Sequence, residues 1–445
     1  MKMEDMILVS VDDHVCEPPD MWDNHLPAKW KDRAPRMVHK QDGSDVWIFE
    51  GQQIPNVGLN AVAGRPPDEY GMEPTALSQM RRGCYDIDAR IDDMNANGVL
   101  GSLCFGSVTG FVGQLFAKQE DKEFALALVQ AYNDWHIDEW CGKYPGRFIP
   151  LSIPTMWDPN LMAAEVRRVA KKGCHAVTFA DVPPGLGYPS LHSDHWDPFW
   201  KACEDEGTVV CIHIGSGTGM NLQDQNAPVE IMISSTPITL FNCAAELVFS
   251  DAFQKFPGLR IALSEGGIGW IPYFLERIDY VHEHHHHWTK HSFPKGKRPS
   301  DIFREHIVTC FIDDDVGVAE RDRIGIDTIT WECDYPHSDS TWPRAPELLW
   351  RSVKDLTDLE IDKMTHLNTM RFFQYEPFAH IPREQCTVGA LRAQAKHVDL
   401  TPRGNTGGKK PSDFERGYAT VGDIMKQMAT AFAVPIDSNA SRSAS

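Results

Sequence analysis

Positive charge is scarce in this chain. Its 445 residues carry 43 Lys and Arg against 63 Asp and Glu, a formal charge of −20. That balance argues against nucleic acid and anionic membrane surfaces as partners. Long apolar runs are also missing: none approaches the ~20 residues needed to span a bilayer. The opening MKMEDMILVS has acids where a signal peptide wants basic residues, so secretion is not expected. The 11 Cys are scattered singly, with no CxxC pair. Such an unpaired set fits a reducing cytosol, and Cys104, Cys174, Cys211 and Cys310 read as small buried apolar side chains. No repeat is visible beyond an alternation of apolar runs with helical patterns.

That alternation is the main signal of fold. Eight β-prone runs lie at 6–12, 99–105, 148–154, 175–180, 208–215, 259–265, 306–312 and 327–333. Most of the gaps hold a helical pattern, at 85–97, 120–142, 158–172, 195–206, 236–255, 269–289 and 315–323, and 344–380 should be helical and close the structure. Near-continuous apolar strands separated by helices predict a parallel sheet covered by helices, and eight such units predict a (β/α)8 TIM-type barrel. The barrel unit is expected to span 1–385. An insertion after strand 1, at about 18–83, covers its mouth and includes a small hairpin (Asp45–Phe49, then Gln52–Ile54). Trp22, Trp30 and Trp47 lie in this insertion, either as core or as an apolar wall for substrate. Residues 386–445 read as a Gly/Lys linker, a docking helix with Val421, Ile424, Met425, Met428 and Phe432 at helical spacing, and a disordered tail. The helical arm is expected to find a surface, on its own barrel or on a second subunit.

Chemistry gathers at the strand ends, where a barrel of this kind places its active site. The first run ends Asp12-Asp13-His14-Val15-Cys16-Glu17 and the eighth ends Glu332-Cys333-Asp334-Tyr335-Pro336-His337. Residues two apart on a strand share a face, so Asp12 and His14 point the same way, with Glu17 just beyond. His213 lies near the end of the fifth run, before the glycine-rich 215–219, which lacks the Lys of a phosphate-binding Walker motif. Glu265 ends the sixth run, either as a ligand or acid–base group or as the partner of a buried cation. Asp313-Asp314-Asp315 reads as a helix N-terminus. The internal His282–His287 run reads as a solvated helix end, and His192 and His195 as capping or substrate-side groups. Oxygen and nitrogen donors drawn from distant strand ends are what a divalent metal site needs. Asp12, His14, His213 and Asp334 are the expected ligands of one ion, and Glu17 and His337 of a second beside it.

The order of these motifs resembles the metal-dependent amidohydrolase superfamily, and within it the branch that includes aminocarboxymuconate semialdehyde decarboxylase. The resemblance covers about 6–380 and is carried by Asp12–Asp20 and Cys333–His337. It implies one or two divalent ions (Zn, Mn or Fe) and a small-molecule substrate. Two positions depart from the branch: Asp12 replaces the first His of an HxH pair, and Glu265 stands where the decarboxylases place a catalytic His. A more oxygen-rich site shifts preference from Zn towards Mn or Fe. The leading expectation is a cytoplasmic hydrolase using metal-activated water on an amide or related carbonyl bond, with Asp334, Glu265 and His337 as catalytic groups. The alternatives are a dinuclear Mn/Fe or Fe/Fe oxygenase, a decarboxylase, and a silent paralogous subunit. A homo-oligomer or a hetero-oligomer with a paralogue is expected.

Overall fold

The computed structural model describes residues 1–435 apart from 56, 72, 218–223, 295, 405, 408–410 and 432–433. The strands, in chain order, are β1 (Leu8–Val15), β2 (Arg36–His39), β3 (Asp45–Phe49), β4 (Gln52–Ile54), β5 (Val99–Gly106), β6 (Phe148–Ile149), β7 (Ala176–Phe179), β8 (Val209–His213), β9 (Arg260–Ser264), β10 (Ile307–Phe311), β11 (Ile329–Trp331) and β12 (Val434–Pro435). Each of the eight apolar runs carries one strand of a single parallel sheet, ordered β6-β5-β1-β11-β10-β9-β8-β7. A parallel bridge between Ser152 and Val177 closes the ring: Ser152 N donates to Ala176 O at 3.0 Å and Thr178 N to Ser152 O at 2.9 Å. The architecture is a (β/α)8 barrel, with chain neighbours as spatial neighbours and β1 meeting β11 at the seam.

Strand residues alternate between two packed layers. Val209, Cys211, Ala262, Val308 and Cys310 fill the barrel, whose floor is closed by Phe373, Tyr375, Cys386 and Leu391. Val210, Ile212, Ile261, Leu263, Ile307 and Ile329 face the helices. All eleven cysteines are free and buried, as small apolar side chains would be. Helices occupy the gaps as expected, for example Ile87–Asn97, Pro159–Ala170 and Asp197–Glu206.

β1 breaks the alternation, and the break matters. Against β5 its register runs Ser10↔Ser102 and then Asp13↔Cys104, three residues opposite two. This bulge shifts the phase of the strand. Val9 and Val11 belong to the interior cluster, yet Asp12 and His14 also reach the barrel mouth, where they meet His213 of β8. Asp13 is turned out instead, and accepts from Tyr335 N at 2.9 Å, from Ser10 Oγ at 3.1 Å and from Ser102 Oγ.

The first gap forms an antiparallel meander of β2, β3 and β4, with β12 added alongside β4. Trp22 and Trp47 are core, and Trp30 packs partly buried against it. The insertion meets the end of β11 through Val62 N and Ala63 N, which donate to Pro336 O at 3.0 and 2.9 Å. Packed structure continues past Gln385: the helix Val388–Gln394 buries Val388 and Leu391, and Val388 N donates to Met6 O at 2.8 Å. The later helix Val421–Ala431 lies on its own chain, where Val421 and Ile424 pack on Met232. The side chain of Met428, together with Phe432 and the tail 438–445, falls outside the described residues. Met232 belongs to Val229–Val248, a 20-residue stretch that is long and apolar enough to cross a membrane and 39% buried here. The sequence analysis expected no run of that kind. The His-rich run forms the exposed end of the helix Ile271–Thr289, and Asp314 caps its own helix through Gly317 N at 2.8 Å.

Candidate metal centre

The end of β1 is laced to the segment after β11: Asp334 N donates to Asp12 O at 2.9 Å and His14 N to Tyr335 O at 2.7 Å. Behind the strand, Arg90 donates to His14 O and to Gly83 O (2.6 Å for the latter), and Tyr335 Oη donates to Asp93 Oδ2 at 2.6 Å. This frame fixes Asp12, His14 and Asp334 over the barrel. Asp334 and Glu265 both hold positive φ, 57° and 63°. Side chains other than glycine rarely adopt that conformation, and such residues persist where the surroundings over-determine them.

His213 ends β8 and Glu265 follows β9. His213 Nε2 lies 2.8 Å from Glu265 Oε2 and 3.7 Å from Asp12 Oδ2, and His14 Nε2 lies 3.5 Å from Asp12 Oδ1 and 3.3 Å from Asp334 Oδ1. His337 Nδ1 reaches Asp334 Oδ1 at 2.9 Å, and its ring stacks on His14 with centroids 3.7 Å apart. The donor atoms therefore form two groups that share His14: Asp12, His14 and His213, and His14, Glu265, Asp334 and His337, each within 4.8 Å.

Glu17 joins neither group. The strand ends at Val15, and the Glu17 carboxylate turns to the loop after β5, accepting from Ser107 N and Val108 N at 2.9 Å each. Burial outweighs those bonds and raises its pKa to about 7.

The electrostatics are those of a site short of positive charge. Burial first, then Glu332, Glu265, Asp334 and Asp13, push the Asp12 carboxyl well above its usual range. Glu332, which the sequence reading did not single out, rises to about 8, from burial and then the neighbouring carboxylates. It accepts from Glu265 N at 3.1 Å and Cys310 Sγ at 2.6 Å. Burial lowers His14, with His337 and His213 adding to the effect. Burial also opposes a charge on His337, but Asp334 holds its pKa above the ordinary value. Asp339 rises to about 6, from burial and then Asp334 and Glu265.

The fit to a cation is direct. Asp12 Oδ1 and Oδ2, His14 Nε2 and Asp334 Oδ2 are buried without a hydrogen-bond partner among the described residues, and His213 Nε2 and Asp334 Oδ1 make no well-aligned hydrogen bond, facing Glu265 and His337 as ion pairs. Each such atom costs about 1–3 kcal/mol unless something else satisfies it. His213 Nδ1 pairs with Ile214 O at 2.8 Å, which leaves the Nε2 lone pair facing the cluster, as outer hydrogen bonds do for metal-ligating histidines. Phe111, also missed in the sequence, stacks on His213 with centroids 4.1 Å apart. Elsewhere, His192 pairs with Glu246 on the surface and His195 packs on Trp196.

Comparison with known proteins follows the same line. The model of the family described as Amidohydrolase matches residues 22–374. The chain belongs to the amidohydrolase family. Among curated proteins, a gamma-resorcylate decarboxylase from a Rhizobium species is 24% identical over 342 residues, 72% of this chain and 94% of its own. Among solved structures, an amidohydrolase from Mycobacterium avium subsp. paratuberculosis aligns with a TM-score of 0.63 at 20% identity, covering 83% of this chain and 99% of its own. A 5-carboxyvanillate decarboxylase from Novosphingobium aromaticivorans, solved with manganese and a nitrobenzoic acid, aligns with a TM-score of 0.56 at 18% identity, over 84% and 99%. At those identities the structural matches establish the amidohydrolase fold.

Proposed function

We propose that this amidohydrolase is a metal-dependent hydrolase of a carbonyl-type bond in a small organic molecule, with Asp12, His14, His213 and Asp334 holding a first divalent ion. The observation that carries the reading is the set of buried lone pairs on those four residues that no aligned hydrogen bond satisfies. When bound, such an ion lowers the pKa of a water towards 7 and polarises a carbonyl oxygen. The side chains supply the proton path. Asp334 Oδ1 stands between His14 Nε2 and His337 Nδ1; it would accept the proton of the attacking water, and His337, held protonated beside it, would donate its own to the leaving group and be reprotonated through Asp334. Phe105 and Phe111, which pack around His14 and His213, exclude bulk water on that side. The ion pairs of Asp12, Glu265 and Asp334 are with histidines, and among the described residues none is with Lys or Arg. That supports a neutral carbonyl substrate over a free carboxylate. It also leaves negative charge for a second ion beside Glu265 and Asp334; were His337 to bind that ion, it would serve as a ligand in place of the leaving-group acid. Six oxygen and nitrogen donors favour Mn or Fe over Zn.

A second reading, decarboxylation, is favoured by the curated relatives, which are decarboxylases matched over nearly their full length. Against it, Glu265 stands where the resemblance to the decarboxylase branch implies a catalytic His. Metal analysis of protein produced with Mn, Fe and Zn, followed by assays on amide, ester and lactone panels and on aromatic acids, separates the readings. Hydrolysis that depends on added metal is the expected outcome. Release of CO2 from an aromatic acid would replace it with the second reading, and O2 consumption by a two-iron or manganese–iron form would point to an oxygenase. A chain that retains no metal would be the silent paralogue.

A further inference from the structure

The turn after β9 carries Glu265 and is held at both ends by carboxylates from the two strands that follow it. At the far end Asp314, just beyond β10, accepts from Ile268 N at 2.8 Å and Gly269 N at 2.6 Å. At the near end Glu332, the residue after β11, accepts from Glu265 N at 3.1 Å. The two holds differ in what they grip. Ile268 and Gly269 bring no donor side chain, whereas Glu265 is the one residue of 265–269 whose side chain joins the metal centre.

Glu332 is fully buried. Its N–H donates to Phe311 O at 3.1 Å, and its Oε2 takes a second bond from Cys310 Sγ at 2.6 Å. Cys310 Sγ in turn lies 3.3 Å from Leu263 O, so the ends of β9, β10 and β11 are tied together at this one carboxylate. Packing alone would be served by an apolar residue, since burying a carboxylate beside Asp12, Glu265 and Asp334 is unfavourable. What the carboxylate adds is an acceptor for Glu265 N. Glu265 holds a φ of 63°, and from there its carboxylate reaches His213 Nε2 at 2.8 Å. A residue other than glycine keeps that conformation only where its surroundings impose it.

We propose that Glu332 is a positioning residue for the metal centre: its Oε2 fixes the peptide ahead of Glu265, so that the left-handed turn there aims the Glu265 carboxylate at His213 and the ligand cluster. Glu332 acts through Glu265 and is assigned no contact with substrate or ion. The inference rests on the proposed function only in giving Glu265 a part in the centre. Partners of this outer kind orient the groups that hold a metal.

Two substitutions separate position from charge. Glu332→Gln removes the charge and keeps an acceptor; Glu332→Leu fills similar space and removes both. A crystal structure of metal-free Glu332→Leu is expected to show Glu265 out of the left-handed region, with its carboxylate withdrawn from His213, while Glu332→Gln keeps both features. In Mn titrations of the full chain, Glu332→Leu should bind about 10–100-fold more weakly than wild type, and Glu332→Gln nearly as well as wild type. In a Glu265→Gly background, where the conformation is free and the carboxylate is gone, Glu332→Leu should change Mn affinity by less than about twofold. Glu265 unmoved in Glu332→Leu, equal weakening by Gln and Leu, or an undiminished effect in the Glu265→Gly background would each overturn the proposal. If Glu332→Leu fails to fold but Glu265→Gly/Glu332→Leu folds, the strain at Glu265 rests on Glu332 as proposed; if both fail, Glu332 holds the barrel itself and the proposal falls. A wild type that binds no Mn would count against the proposed function instead, and the crystallographic comparison alone would then decide this inference.

Discussion

At the residue scale, the site is built from groups that are costly without an ion. Glu265 combines positive φ with a carboxylate among carboxylates. Glu265→Gly should therefore raise the stability of the metal-free protein by about 1 kcal/mol or more, from backbone relief and reduced repulsion. Activity should fall by roughly 100-fold, the size of a lost acid–base or ligand contribution. Thermal melts and turnover on the same preparation check the opposite signs. Glu17 gives a pH test away from the centre. Its pKa is about 7 in the folded chain against 4.5 ordinarily, so the folded state holds a proton that the unfolded state has released. Its stabilising contribution is fully present below pH 4.5 and is lost as pH rises through 7. Wild type should lose on the order of 3 kcal/mol relative to Glu17→Gln between pH 4.5 and 8, measured by denaturant titration at each pH; parallel profiles would show that Glu17 does not titrate. Glu17 also marks a limit of sequence reading. Its type and proximity to His14 suggested a ligand, but the direction of a side chain two residues past a strand end depends on the loop it meets. Glu332, inside the same motif, was given no role, because nothing in the residue order shows that its carboxylate reaches Glu265 N and Cys310 Sγ.

At the element scale, the eight apolar runs were legible because a strand buried on both faces needs apolar residues at nearly every position. The bulge in β1 was not. A period of two correctly put Asp12 with His14, but gave no hint that both share the mouth with a strand whose Val9 and Val11 also point inward, since an extra residue leaves no mark in an apolar pattern. The C-terminal helix was legible by its stripe, while the surface it covers was left open between its own barrel and a second subunit. Here it lies on its own chain, anchored by Val421 N to Ala227 O at 2.9 Å and Gly422 N to Gln225 O at 2.7 Å. Ile424→Ala should weaken that docking by about 2–4 kcal/mol. Because the contact is local, the loss should appear as faster hydrogen exchange over 225–235 and 419–426, with little change in the global melt. A uniform drop in the melt instead would mean the arm is integral to the barrel.

At the scale of the whole molecule, an ion bound as proposed would be linked thermodynamically to the fold. A ligand that binds only the folded chain stabilises it by RT ln(1 + [L]/Kd), about 4 kcal/mol at a thousand-fold excess over Kd. Added Mn or Fe should raise the melting temperature, and a chelator should reverse the gain. Asp12→Asn/Asp334→Asn should be more stable than wild type without metal and gain little from it, because it lacks both the repulsion and the ligands. A melt indifferent to metal in the wild type would contradict the reading of the unsatisfied lone pairs.

The donors on β1 and those after β11 come from the first and last strands of the barrel, which meet at its seam. Such a centre has a history as well as a geometry. It cannot exist on a nascent chain until the final strand is seated, and that closure carries the largest loop entropy in the barrel. An ion bound as proposed would act as a latch across that joint, and its effect would fall on the rate of opening more than on the rate of folding. Metal supply would thereby set how long a finished molecule lasts, apart from how fast it works.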